Sequence, residues 1–161
     1  MHPQHAHQSP ASPSDQVALE SAISEFKAET GTVHRLGPDG HLHLSAIVGQ
    51  YPPPVMEAIR RIPVGKGLAG LAAERREPVT VCNIQQDASG QTRPGARATG
   101  MEGAITVPCI DDAGALRAVL GIANSSARTF APDEVGRLRE RGRAIAASIA
   151  AQVGRDGPAS P

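Results

Sequence analysis

The sequence predicts an α+β domain built on an antiparallel sheet, and three observations predict it. Two hairpins carry clear turn chemistry, Gly37-Pro38-Asp39-Gly40 and Asp111-Asp112-Ala113-Gly114. A helical apolar pattern stands at each end of the chain. Between the hairpins, Pro63 to Ile84 reads as a glycine turn, a helix and a short apolar strand.

Ser12 can cap the first helix, Pro13 fits its first position, and Asp15 falls three residues after the cap. Leu19, Ala22, Ile23 and Phe26 recur at helical spacing on one face, and Gly31 is expected to end the helix. The first hairpin pairs Thr32–Leu36 with His41–Val48. Setting Leu36 opposite His41 puts His34 opposite His43, with Val33, Leu42, Leu44 and Ala46 on one face. His34, His41 and His43 then share the other face. Three imidazoles on one face could hold zinc or copper, but no carboxylate or cysteine joins them locally. A polar face of a half-buried sheet is the simpler reading.

Tyr51-Pro52-Pro53-Pro54 is a stiff connection into a short helix before the glycines. Gly65, Gly67 and Gly70 then form a corner that feeds a helix ending at Pro78, and Val79, Val81 and Ile84 supply a strand. Gly65-x-Gly67-x-x-Gly70 also matches a dinucleotide fingerprint. That fingerprint needs a buried parallel strand directly before it, and here a helical stretch and Pro63 precede it. Gln85 to Gly100 is a long polar loop, of the length that is usually functional or disordered. The second hairpin spans Ala104–Ile110 and Leu116–Ala123. Pro132, Asp133 and Glu134 open the last helix, Phe130 can staple onto Val135, and Gly154 is expected to end it.

Composition narrows the function classes. Sixteen basic residues balance sixteen acidic ones, so no global field favours nucleic acid or an anionic membrane. One Tyr and two Phe leave no stacking platform for bases. No stretch has the apolar length of a membrane span or a signal peptide. Cys82 and Cys109 lie in strand patterns and read as small buried hydrophobes of a reducing, cytoplasmic protein. The resulting division is a disordered tail over 1–11, whose His2, His5 and His7 lack a fixed ligand geometry, a domain over 12–153, and a tail over 154–161.

The order of elements, with Gly31 to Leu36, Gly65 to Gly70, Pro78 to Ile84, Ala104 to Ile110 and Leu120 to Ala123, resembles the GAF domain family of small-molecule sensor modules. The resemblance covers about Val17 to Ala151. It implies a central antiparallel sheet, terminal helices packed on one face, and a ligand pocket on the other. Cyclic-nucleotide-binding members carry a signature that Asn124-Ser125, Phe130 and Asp133-Glu134 partly resemble. Here its lysine is absent and the Phe-to-Asp spacing is one residue short. Members that reduce free methionine-(R)-sulfoxide need cysteines in the glycine motif and long loop, where this chain has Ala69 and no thiol. Nothing resembles a bilin attachment motif.

The resulting expectation is a non-catalytic sensor module that binds an unidentified small molecule. Its signal would pass through a homodimer or a signalling partner protein, without nucleic acid or membrane, and no cofactor is specified. The alternatives are a reductase-like redox enzyme using Cys82 or Cys109, and a structural dimerisation module. Tyr51, Leu68, Asn83, Gln85, Asp87, Arg93 and Arg97 are expected to border the pocket, with Ile105 and Val107 in its floor. Self-association is expected through the terminal helices, because the C-terminal part of the last helix should overhang the sheet and expose Ile149 and Val153.

Overall fold

The computed structural model describes residues 12–87 and 94–156. The expectations for the two tails, for Arg93 and for His2, His5 and His7 lie outside these residues, except that 154–156 belong to the last helix.

Helix α1 (Pro13–Phe26) begins as its sequence dictates, with Ser12 Oγ accepting from the Asp15 N–H. It ends earlier than Gly31. Lys27 adopts a left-handed conformation (φ 54°), and the N–H groups of Lys27 and Ala28 return to the Ser24 and Ile23 carbonyls. Gly31 lies inside strand β1 (Thr30–Leu36), which pairs antiparallel with β2 (His41–Val48).

Helix α2 (Pro53–Ile59) leads into the three-residue strand β3 (Arg61–Pro63), which lies on the edge beside β2. Pro63 is tolerated there because an edge strand can leave one side unpaired. Helix α3 (Gly67–Arg75) and strand β4 (Val79–Val81) follow. Two 3-10 turns, Ile84–Gln86 and Pro94–Thr99, belong to the long loop, and β5 (Gly103–Ile110) and β6 (Leu116–Asn124) form the second hairpin. The sheet order is β3-β2-β1-β6-β5-β4, and every pair is antiparallel. The dinucleotide reading is excluded by this topology, since it needs parallel neighbours.

Helix α4 (Pro132–Asp156) runs through Gly154 instead of ending there. Glu134 reaches back to accept from the Ala131 N–H at 2.9 Å, closing its first turn. With α1 it covers one sheet face, over a core that includes Leu19, Phe26, Val33, Ile105, Val107, Leu120, Leu138 and Ile145. Ile149 belongs to this core and is only 5% exposed, so a single chain already covers it; Val153 is 50% exposed. The overhang is therefore shorter than helix length alone suggests.

The first hairpin is in a different register from the expected one. Leu36 pairs with Leu42, Arg35 with His43 and His34 with Leu44, and a bulge then leaves Ser45 as the extra residue before Val33 meets Ala46. The bulge is held from outside the strand, because Ser45 Oγ donates to the buried Asp15 carboxylate at 2.6 Å. Its effect is to turn Val33 and Ala46 toward the helices while Leu42 packs on the opposite face. The three histidines consequently do not share a face. His34 is buried against the pocket side, whereas His43 lies across from Arg35 and meets Asp39 at the turn. Among the described residues no group of three or more His, Cys, Asp or Glu side chains is arranged to hold a metal.

Candidate ligand pocket

The glycine corner is shaped by backbone demands. Gly65 (φ 95°) and Gly67 (φ 71°) need the left-handed region that side chains disfavour. Gly70 lies so close to β3 that an added Cβ would stand 2.6 Å from the Pro63 carbonyl oxygen. The Gly65 N–H donates to the Gly70 carbonyl at 2.8 Å, so this donor is already used within the corner. The turn lays α3 beside the sheet and directs Leu68 and Ala69 into a cavity.

That cavity holds about 170 Å³ and lies between two apolar clusters. Ile62 comes from one cluster, Ile84 and Ala104 from the other, and Leu68 packs against both. Helix α2 contributes Val55 and Ile59, and the long loop contributes Ala96, Thr99 and Met101. Glycine corner and long loop therefore border one space. Of the residues named from the sequence, Tyr51 and Leu68 line it.

The other expected contacts stand elsewhere. Ile105 and Val107 are fully buried under α1 and α4, and their neighbours Ala104 and Thr106 form the floor. The sequence could not give this parity, because β5 is buried on both faces and shows no alternation. Asn83 accepts from the Gln85 N–H and caps the first 3-10 turn. Gln85 Nε2 donates to the Arg97 and Met101 carbonyls at 3.1 and 2.8 Å, and the Arg97 guanidinium donates to the Asp87 carbonyl. These polar side chains tie the loop to itself.

The wall carries hydroxyls and one imidazole, with no charged side chain among the described residues. Thr106 Oγ1 donates to the Leu68 carbonyl, and Thr99 Oγ1 donates to the Ala96 carbonyl and accepts from the Met101 N–H. The Tyr51 pKa is raised by burial, an effect that the nearby Thr30 hydroxyl partly opposes. Even so, Thr30 Oγ1 lacks a hydrogen bond of good geometry. His34 is 2% exposed, and one of its ring nitrogens stands 2.8 Å from the Ile59 carbonyl oxygen. A carbonyl can only accept, so His34 Nε2 carries the proton and donates. Burial pushes the His34 pKa from 6.5 down to about 4, partly offset by that hydrogen bond. The neutral ring is left with Nδ1 as a buried acceptor without a partner. Sequence reading missed this residue because the register error grouped it with His41 and His43 on a face read as polar surface.

Neither cysteine lines the cavity. Cys109 is buried beneath α4, and burial, with the Asp15 charge, pushes its thiol pKa far up. Cys82 is exposed, contrary to the expectation of a buried hydrophobe, because it falls just past the end of β4; Thr129 Oγ1 lies 3.6 Å from its sulfur. The residues that partly resemble a cyclic-nucleotide signature are structural. Asn124 bridges the Lys27 carbonyl and the Arg128 guanidinium, and Phe130 packs in the helix-side core.

Helices on one face of an antiparallel sheet and a cavity under short helices on the other define a pocket-bearing α+β domain. The chain belongs to the GAF domain family, whose model matches residues 16–154 and whose members are small-molecule-binding and signalling modules. The GAF domain of a phosphoenolpyruvate-protein phosphotransferase from Coxiella burnetii is similar in structure, with a TM-score of 0.74 and 21% identity over 95% of this chain and 90% of that one. Free methionine-R-sulfoxide reductase from Neisseria meningitidis, solved with its substrate, is also similar, with a TM-score of 0.68 and 19% identity over 83% of this chain and 74% of that one. At these identities the likeness shows the fold alone. No curated protein matches the sequence. Among the described residues no helix is long and apolar enough to cross a membrane.

Proposed function

We propose that this chain is a bacterial-type cytoplasmic sensor module that binds a small molecule without transforming it. The observation that carries this reading is the cavity behind the glycine corner, which has apolar walls, a few polar groups and no thiol. Occupancy would be passed on by a signalling partner protein or by a second copy of the chain packed through the terminal helices. Exposed Val17 on α1 and Val153 on α4 support the second route.

Native mass spectrometry of freshly purified full-length protein tests the binding reading. A dissociable small-molecule adduct is expected. A bare polypeptide mass, with no thermal shift across a panel of small neutral compounds, would refute it. Light scattering at micromolar concentration tests the association, for which a dimer mass lost on Val153→Asp is expected. A monomer mass for the intact chain overturns it.

A further inference from the structure

Resting on the sensor reading, we propose that the cavity selects a small neutral ring bearing one hydrogen-bond donor, of the phenol class, and reads that donor through His34 Nδ1. Three observations carry this. The first is size. An engineered apolar cavity of about 150 Å³ holds benzene, so a space of about 170 Å³ suits a monocyclic ring.

The second is charge. The described wall carries no Asp, Glu, Lys or Arg, so nothing there compensates a carboxylate, an ammonium or a phosphate removed from water. A neutral molecule is the one this wall admits without an unpaid desolvation cost. Val55, Ile59, Ile62, Leu68, Ile84 and Met101 offer the apolar contact that a ring needs.

The third is the direction of the hydrogen bond. The Ile59 carbonyl fixes Nε2–H as the donor, which makes Nδ1 an acceptor and only an acceptor. It is buried and unpartnered, and the residue lines the cavity. In the same wall the Thr99 and Thr106 hydroxyls are engaged with backbone groups, and Thr30 Oγ1 is a second polar atom without a hydrogen bond of good geometry. A ligand O–H or N–H completes the site, whereas a ligand that only accepts leaves Nδ1 unpaired.

Calorimetric titration of the full chain with phenol and with anisole tests this. The two rings are alike, but anisole has no donor. Phenol is expected to bind about tenfold more tightly, in keeping with one buried hydrogen bond gained. In His34→Phe the phenol preference should vanish while anisole binding persists. Should that variant not fold, nitrogen-15 NMR of the wild-type imidazole decides, since phenol should move the Nδ1 signal upfield and anisole should not. Equal binding of both rings, with Nδ1 unmoved, overturns the donor readout and leaves the pocket reading standing. Binding of neither ring, with Nδ1 hydrogen-bonded to water alone, overturns this ligand class. The sensor reading as a whole falls only if the broader compound panel and native mass spectrometry are negative as well.

Discussion

Arg35 grips Asp15 with two prongs, Nε to one carboxylate oxygen at 2.7 Å and a terminal nitrogen to the other at 3.1 Å. This pair joins the first turn of α1 to β1. Asp15 is 1% exposed and also accepts from Ser45, so its charge is compensated entirely by neighbours. Arg35→Ala leaves a buried carboxylate without its cation and should cost about 3 kcal/mol, the lower end for a broken buried pair because Arg35 is partly exposed. Denaturant unfolding of the variant measures this. An unchanged midpoint would show that the pair contributes nothing net.

Stability should fall in mild acid through His34. The native ring is neutral with a pKa near 4, against 6.5 when unfolded, so the native state binds fewer protons between those values. The contribution is complete above pH 6.5 and is lost as pH drops towards 4, amounting to about 3 kcal/mol. Comparing wild type with His34→Gln at each pH cancels the carboxylate titrations. Parallel stability curves for the two proteins would contradict the assignment.

Gly70→Ala and Gly40→Ala should differ sharply. At Gly70 the new methyl would meet the Pro63 oxygen at 2.6 Å and the Gly65 nitrogen at 3.0 Å, both backbone atoms that cannot rotate away. A loss of about 2–3 kcal/mol is expected, as for other overpacked sites, together with loss of any ring binding. Gly40 has φ +78° but open space around it, so only backbone strain of about 1 kcal/mol applies. Thermal melts of the two variants give the contrast, and equal shifts would contradict the close approach at the corner.

The thiols should react at very different rates. Exposed Cys82 is expected to be labelled at once by a disulfide reagent, and Cys109 only after unfolding. Replacing both by alanine should leave phenol binding intact and remove only packing stability. A turnover of free methionine sulfoxide by wild type that disappears in the double variant would replace the sensor reading with the redox one.

These tests reach the places where the sequence was legible and where it was not. Ser12, Pro13 and the two hairpin turns were readable because their chemistry is local, acting over three or four residues. The β1–β2 register was not. It depends on Ser45 bonding to Asp15, thirty residues away, and on a bulge that reverses the alternation within one strand. The same error grouped His34 with His41 and His43 on a face read as polar surface, although it lines the cavity. The pocket floor was misread by one position because β5 is buried on both faces. In the loop, polarity drew attention to Asn83, Gln85 and Arg97, yet their hydrogen bonds go to loop backbone. A side chain's polarity reveals that it needs a partner, not which one.

The outermost strands, β3 and β4, have three residues each, and each follows by a short connection on a helix that lines the cavity. Roof and hem are therefore one covalent piece. An open strand edge is where a sheet protein begins to add copies of itself into fibres, and short edges are a common defence. Loosening α2 or α3 is expected to pull at that hem, and a filled cavity to hold it down. Filling the cavity is therefore expected to raise colloidal solubility as well. Slower amide exchange at Ile62 and Thr80 on filling would be the earliest sign of that coupling.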